Sequence, residues 1–330
     1  MMSEIKLTTF DIQALDEQCY ANGNQQCQVL VNVKKEQYND ATGLWETLPL
    51  TSSEIASVAV VRFSSDINET NMPDSWFCDT TRNEYDQGTF SMASLKAAAR
   101  GAKAPAEPAH MNRVSLSSST SESIQRYIRS SRVESQKLMA RMQLDTGKVY
   151  TTNMSDGDDN FHSSIILTAT TPLAIDVDQL QHRQETVQDQ IYDDFNPDLH
   201  QKVTMDYWSL PAGLSILSGP SVDASFFYAW GFDDGNADNR ILTRGRAFVT
   251  GSYSLNARDG VSGGCVQSKS YSVTVSEMAV EVLWISGCSW TSDYWQDEAN
   301  FTMVDNFGNT HRYAARASGD YGSEVTLIAV

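Results

Sequence analysis

Alternation of apolar and polar residues is the clearest pattern near the start of the chain. Between positions 26 and 33 every second residue is apolar, namely Cys27, Val29, Val31 and Val33. A period of two places these side chains on one face of an extended chain and predicts a half-buried strand. Further along, Thr51 and Glu54 have the spacing of a capping box, which predicts a single helical turn. A second strand is predicted to follow at 57–63, so we expect residues 1–90 to form a β-sandwich-like domain.

A different period follows between Ser119 and Leu144. Ser119 and Glu122 again have the spacing of a capping box. At about 100° per residue, one face of the predicted helix is apolar: Ile124, Tyr127, Ile128, Leu138, Met139 and Met142. The opposite face and its flank are basic: Arg126, Arg129, Arg132, Lys137 and Arg141. The pattern predicts a cationic amphipathic helix of about seven turns.

Sequence around this segment indicates an insert between two domains. Ser91–Ser119 is rich in Ala, Lys, Pro and Ser, which is typical of a linker or mobile loop. A strand is predicted at 163–170, and Val177, Leu180, Val187 and Ile191 recur at spacings that predict a second helix. We therefore expect residues 91–202 to be a basic, partly flexible helical insert with one or two strands.

From Val203 onward the pattern is almost purely that of strands. Short runs rich in Val, Thr and aromatic residues alternate with Gly, Asn and Asp, which is typical of a sandwich or barrel. Residues 203–330 are thus predicted to form a C-terminal β-rich domain. The predicted fold class is mainly β, with two β-sandwich-like domains and an inserted amphipathic helical segment.

Charge is unevenly distributed along the chain. The 330 residues carry a formal net charge of −18. Residues 91–151 contain 10 basic and 4 acidic residues, which gives this segment +6 and leaves −24 for the rest. Overall acidity argues against a nucleic-acid-binding protein, which needs a positive face. The contrast instead favours contact between the basic insert of one subunit, through Arg126, Arg129, Arg132, Lys137 and Arg141, and an acidic surface.

Targeting signals and cysteine spacing add little to the prediction of function. No apolar run has the length of a membrane span, and no cationic stretch leads into an apolar one at the N-terminus. We expect synthesis in the cytoplasm without a secretory signal, with release by a non-Sec route left open. The five Cys have no CxxC spacing, so reduced thiols are expected, although Cys19 with Cys27 and Cys265 with Cys288 are conceivable bridges.

Two motifs carry candidate chemistry. Gly260–Gly264 matches the GxSxG pattern around Ser262, with the carboxylates Asp293, Asp297 and Asp305 and then His311 downstream, but the strand and helix that a nucleophile elbow needs are not predicted beside it. We therefore expect a glycine loop and no enzyme. Asp156, Asp158 and Asn160 offer oxygen ligands of the type that Ca²⁺ prefers, without the Gly and Glu of an EF-hand. No cofactor is expected beyond this conceivable Ca²⁺.

Aromatic residues near the C-terminus suggest a contact surface. Trp290, Tyr294 and Trp295 lie in a predicted loop among Asp, Gln and Glu residues, where they are candidates for contact with a partner or a glycan. We expect a non-enzymatic, β-rich binding or self-assembly protein and a homo-oligomer or protein partner. The first alternative is a cytotoxin or pore-forming protein whose segment 113–144 engages a membrane. The second alternative is a glycan-binding module.

Overall fold

A computed structural model describes eleven stretches of the chain. They are residues 4–90, 121–156, 159–191, 200–218, 226–232, 240–248, 251–259, 261, 268–287, 298–319 and 324–330. The described residues are mainly strands, as the sequence predicts. They fall into two compact units. Unit 1 contains the described residues up to Leu173 together with Phe307–Asn309, and unit 2 contains the remaining ones.

Unit 1 has twelve strands and one short α-helix. The strands are β1 (Ile5–Ala14), β2 (Gln18–Tyr20), β3 (Cys27–Asn39), β4 (Leu44–Leu48), β5 (Ala59–Arg62), β6 (Trp76–Asp79), β7 (Glu122–Ser130), β8 (Glu134–Gln143), β9 (Val149–Thr151), β10 (Asn153–Asp156), β11 (Asp159–His162) and β12 (Ile165–Thr170), and the helix is α1 (Ser52–Ser57). One sheet has the order β1-β3-β7-β6, with β4 beside β3. A second sheet has the order β2-β12-β8-β5, with β9 beside β8, while β10 and β11 form a separate hairpin.

Both five-stranded sheets of unit 1 contribute to one hydrophobic cluster. From β3, Val29 and Val31 are fully buried, and from β8, Leu138 and Met142 are fully buried in the same cluster. The predicted alternation in β3 is confirmed, because Cys27, Val29, Val31 and Val33 are all buried while the residues between them are half-buried. The capping box is confirmed as well: Thr51 Oγ1 accepts a hydrogen bond from the Glu54 amide at the start of α1.

The predicted cationic helix at 119–144 is wrong. Glu122–Ser130 and Glu134–Gln143 are the strands β7 and β8, so Arg126, Arg129, Lys137 and Arg141 lie on strands and Arg132 lies in the turn between them. Ile124 and Ile128 are four residues apart, an even spacing that puts them on one face of a helix and equally on one face of a strand. Pairing of β7 with β3 and β6 favours the strand over the helix, and the pattern within one segment cannot show which other strands it will pair with.

The second predicted helix is also wrong. Only Val177–Gln179 forms a turn of 3₁₀-helix, and Gln181–Ile191 is a strand. Only Val187 and Ile191 of the four residues used for that prediction lie in the strand, and their spacing of four fits one face of a strand as well as one face of a helix. Of the described residues in 121–202, only this 3₁₀ turn is helical, which corrects the expected helical insert. The expected linker at 91–119 lies outside the described residues.

Unit 2 has eleven strands and is entirely antiparallel in its described pairings. The strands are β13 (Gln181–Ile191), β14 (His200–Ser209), β15 (Ile216–Ser218), β16 (Phe226–Phe232), β17 (Arg240–Phe248), β18 (Gly251–Asn256), β19 (Ser270–Val275), β20 (Met278–Ser286), β21 (Ala299–Asp305), β22 (Thr310–Ser318) and β23 (Glu324–Ala329). They form a sheet of order β13-β14-β20-β17-β16, a sheet of order β15-β21-β22-β23, and the hairpin β18-β19. The predicted β-rich character from Val203 onward is confirmed.

A buried ion pair lies in the five-stranded sheet of unit 2. Arg244 on β17 and Glu281 on β20 are both fully buried, with 3.1 Å between Arg244 Nη2 and Glu281 Oε2. Tyr271 donates a hydrogen bond to Glu281, and Arg244 Nη1 donates one to the Asp259 carbonyl oxygen at 2.8 Å. Burial and the neighbouring Glu281 carboxylate raise the pKa of the Tyr271 hydroxyl, so this group stays a hydrogen-bond donor at neutral pH.

Candidate functional site

The five basic residues predicted as contacts are placed very differently by the strands. Arg126 is 5% exposed on β7 and donates hydrogen bonds to the carbonyl oxygens of Ile55 and Val58 at 2.9 Å each. These carbonyls lie at the C-terminal end of α1, where a helix leaves its acceptors without internal partners. Burial lowers the pKa of this guanidinium. Arg126 therefore holds the helix end against the sheet and lies away from the surface.

Two of the other basic residues are exposed, one of them, Lys137, with its ammonium 3.6 Å from the ring centroid of Phe63. Arg132 is exposed in the β7–β8 turn beside Val133, whose side chain is 55% exposed. Lys137 is exposed on β8 opposite Ile166 of β12, which is 60% exposed. We call Arg132, Val133, Lys137 and Ile166 the hairpin patch. It combines two cations with two exposed apolar side chains, a composition suited to contact with a partner.

Arg141 and Arg129 occupy intermediate positions. Arg141 is half-buried on β8, opposite Ala59 and Thr151. Arg129 on β7 keeps 30% of its side chain exposed. Its Nε donates to Asp79 Oδ2 at 2.8 Å, its Nη1 donates to the Gly23 carbonyl oxygen at 3.0 Å, and its guanidinium lies 4.4 Å from the ring centroid of Phe77. Arg129 thus belongs to a different surface from the hairpin patch.

That surface is an open polar cleft of about 540 Å³ in unit 1. Three segments line it: the turn before β3, the end of β6 with the loop that follows it, and β7. The lining residues are Gly23, Asn24, Gln26, Cys78, Asp79, Thr80, Thr81, Arg82, Asn83 and Arg129. We call this the β3–β6–β7 cleft. Its lining is dominated by amide, hydroxyl, carboxylate and guanidinium groups, which are hydrogen-bonding groups rather than nucleophiles.

Burial raises the pKa of the one thiol that lines the cleft, Cys78, despite a hydrogen bond from the Val60 backbone and the charge of Arg126. A raised pKa reduces the thiolate fraction at neutral pH, so the geometry does not activate this cysteine for attack. Cys19 and Cys27 are also free thiols in the described chain, and both are fully buried. Hydrogen bonding to Cys19 together with burial raises the pKa of Cys27, which keeps it protonated. Cys265 and Cys288 lie outside the described residues.

The charged carboxylate of Asp16, near Arg82 of the cleft, is expected to lower the stability of the folded chain at neutral pH. Burial raises the pKa of its carboxyl above the usual value, while a hydrogen bond from the Gln28 backbone and the charge of Arg82 act in the opposite direction. A raised pKa in the folded state means that the charged form is penalised, so this group's contribution to stability falls as pH rises through the folded pKa. We expect Asp16→Asn to raise the melting temperature at neutral pH. The gain should shrink toward pH 4 in thermal unfolding followed by circular dichroism, and a gain that is equal at both pH values would contradict this explanation.

The other predicted site residues lie mostly outside the described chain. Trp290, Tyr294 and Trp295 are in the undescribed stretch 288–297, and Ser262 is in 262–267. For the acidic turn, Asp158 is also outside, while Asp156 ends β10 and Asn160 is exposed on β11. Within the described part of the chain no three His, Cys, Asp or Glu side chains are grouped to hold a metal ion. The Ca²⁺ site stays a prediction.

Of the residues downstream of the GxSxG pattern, Asp305 and His311 do meet, while Asp293 and Asp297 lie outside the described residues. His311 Nε2 lies 3.0 Å from Asp305 Oδ2, and both side chains are almost completely buried in the β21–β22 hairpin. A buried imidazole and carboxylate satisfy each other's hydrogen bonding inside the fold. The structure therefore explains this pair without a nucleophile, and the assignment as a non-enzyme stays a prediction.

Sequence reasoning misses most of the cleft. The alternation near β3 places Gln26 on the polar face of a strand, and no local pattern singles out Asp79 or Arg82. Gln26 is more than fifty positions away from Asp79 and Arg82, and only strand pairing between β3, β7 and β6 brings it to them. One available signal is the polar run Asp79–Asn83 that directly follows an aromatic-rich strand.

Comparison with known proteins finds no match: no family model, curated protein or solved structure is similar to this chain. None of the helices in the described stretches has the length and apolar character needed to cross a bilayer. Function must therefore be argued from the surfaces themselves.

Proposed function

We propose that this chain is a non-enzymatic binding protein that self-associates, with the hairpin patch of one copy contacting an acidic surface of another. The observation that carries the proposal is the exposure of Arg132 and Lys137 beside the exposed apolar side chains of Val133 and Ile166. Outside residues 91–151 the chain carries −24, so a second copy supplies the complementary charge. Apolar contact at Val133 and Ile166 adds an attraction that salt does not screen.

We further propose a sandwich-like packing for unit 1. Support comes from its two five-stranded sheets, whose inward side chains join one hydrophobic cluster. In such a packing the β7–β8 turn is a rigid support for the hairpin patch, because β7 pairs with β3 and β6 and β8 pairs with β12 and β5. Strands paired on both sides are costly to release, so the described geometry does not favour the membrane-inserting alternative.

Light scattering tests the self-association. At low salt we expect the parent to show a mass above that of the monomer, and at high salt a mass close to the monomer, because the Debye length falls from about 30 Å at 0.01 M to about 3 Å at 1 M. We expect Arg132→Glu/Lys137→Glu to be monomeric at both salt concentrations. The matched control is Lys269→Glu/Arg316→Glu, which makes the same charge change at exposed positions of unit 2 and should behave like the parent.

Two results would reject the proposal. One is a parent that stays monomeric at every salt and protein concentration. The other is a control that loses association as completely as the hairpin variant, which would assign the effect to net charge instead of the patch. A parallel run with anionic liposomes covers the membrane alternative, since a mass increase only with lipid would favour it.

A further inference from the structure

The β3–β6–β7 cleft shares no residue with the hairpin patch, and self-association does not account for it. Its volume of about 540 Å³ lies within the range of about 300–1,000 Å³ that small-molecule sites occupy. Unlike most such sites, its lining is polar. The ligand must therefore be one that is recognised mainly through hydrogen bonds.

A buried glutamine fixes the shape of the cleft. Gln26 is 5% exposed, and its amide nitrogen donates to Asp79 Oδ2 at 2.8 Å and to the Thr81 carbonyl oxygen at 3.3 Å. Its amide oxygen accepts a hydrogen bond from the Asn83 amide at 2.9 Å. The Asn83 side chain then donates to the Asn24 carbonyl oxygen at 2.6 Å. The loop after β6 is thus fastened to the turn before β3 at several points, and a ligand meets a prearranged surface.

The same network leaves one acceptor atom of Asp79 and one donor atom of Arg129 without a hydrogen bond among the described residues. Asp79 Oδ2 is used by Gln26 and by Arg129, whereas Asp79 Oδ1 has no hydrogen bond within the described chain. Arg129 Nε donates to Asp79 Oδ2 and its Nη1 donates to the Gly23 carbonyl oxygen, whereas its Nη2 donates no hydrogen bond to a described residue. Contact with the Phe77 ring restrains the Arg129 guanidinium from the other side. Exposed Thr80, Thr81 and Arg82 add further hydrogen-bonding groups to the rim.

This combination discriminates between ligand classes. Phosphate and sulfate are anions at neutral pH, so the Asp79 carboxylate would repel either of them at short range. A pair of neighbouring hydroxyl groups both donates and accepts, so one hydroxyl can donate to Asp79 Oδ1 while the other accepts from Arg129 Nη2. We propose that the β3–β6–β7 cleft binds a neutral polyhydroxylated ligand, namely the uncharged sugar units of a glycan.

A printed glycan array tests the class of ligand. We would probe it with the full-length chain, using neutral, sialylated and sulfated glycans, and measure inorganic phosphate separately by titration calorimetry. We expect binding to neutral glycans and none to phosphate. Asp79→Asn removes the charged acceptor and should weaken binding about tenfold or more, since a hydrogen bond to a charged group contributes about 1.5–3 kcal/mol. Arg82→Ala, at an exposed rim position, should weaken binding without loss of the fold.

The matched control is Asp74→Asn, at an exposed aspartate that precedes β6 and does not line the cleft. It should bind like the parent, and thermal unfolding should show that all three variants are folded. Absence of binding to any neutral glycan would overturn the proposal, as would binding confined to anionic probes. Retention of glycan binding by both Asp79→Asn and Arg82→Ala, with loss in Trp290→Ala/Trp295→Ala, would place the glycan at those aromatic residues and also overturn it.

Discussion

Replacement of Glu54 by Gln is expected to lower the free energy of unfolding by about 3–5 kcal/mol. Lys35 on β3 and Glu54 on α1 have side chains that are each 3% exposed, and 2.5 Å separates Lys35 Nζ from Glu54 Oε2. The variant leaves the Lys35 ammonium buried without its counter-charge, which costs far more than the loss of a surface ion pair. Urea unfolding followed by circular dichroism measures the change.

Glu54 holds three parts of unit 1 together, which is why a large effect is expected. Its Oε2 also accepts the Thr51 amide at 2.9 Å and completes the capping box. Its Oε1 accepts the Asp145 amide at 3.2 Å, in the turn that follows β8. One carboxylate therefore links β3, the start of α1 and that turn, and an uncharged amide side chain cannot accept all of these hydrogen bonds equally well.

A neighbouring ion pair on the same strand serves as the control. Lys34 and Glu36 are 2.6 Å apart, but their side chains are 28% and 13% exposed. We expect Glu36→Gln to cost less than about 1 kcal/mol. Lys35→Met/Glu54→Gln removes both buried charges and should recover most of the loss caused by Glu54→Gln alone. A cost below about 1 kcal/mol for Glu54→Gln would contradict the buried ion-pair explanation.

Local patterns predict those elements whose signals are contained in a few adjacent residues. The alternation in β3 is correct because its buried face packs into a single core, and the Thr51–Glu54 capping box is correct because both hydrogen bonds form within one turn. The role of Lys35 could not be predicted in this way. A lysine at the far end of an amphipathic strand is usually exposed, and its burial depends on a glutamate nineteen residues away in sequence.

The error at β7 and β8 has a specific cause. Arg126 lies in the same inward row as Ile124 and Ile128, and its charge interrupts the apolar alternation that would have predicted a strand. Its burial is possible only because the carbonyl oxygens of Ile55 and Val58 accept its hydrogen bonds. Those acceptors lie at the end of α1, which is distant in sequence, so the local pattern assigns this buried arginine to an exposed basic face.

The candidate surfaces differ in how far the sequence could predict them. Charge alone predicts Arg132 and Lys137 as contact residues, and both are exposed. The β3–β6–β7 cleft has only one local signal, the polar run Asp79–Asn83, because the buried Gln26 that fixes this loop lies 53 positions away in sequence. Long-range pairing of strands creates such a site, so amino-acid composition does not predict it.

Substitution of Gly245 by Ala is the second change for which we expect a large effect. Gly245 on β17 lies opposite Phe227 of β16, and a Cβ atom at Gly245 would lie 1.9 Å from ring atoms of Phe227. The ring is fully buried, so it has little room to move away. We expect Gly245→Ala to lower the free energy of unfolding by about 3 kcal/mol, at the upper end of typical overpacking costs. Chemical denaturation measures the loss.

A double-mutant cycle separates this steric overlap from a general intolerance of the strand. Phe227→Val removes the three ring atoms nearest to the added Cβ, and it is expected to be destabilising by itself because it leaves a cavity. In that background the methyl group added by Gly245→Ala fills part of the vacated space, so this substitution should cost much less than in the parent, and the two effects should be strongly non-additive. An equal cost in both backgrounds would show that Phe227 is not the reason why this position requires glycine. A smaller cost in the Phe227→Val background would establish that position 245 requires glycine because the Phe227 ring packs against it across β16 and β17.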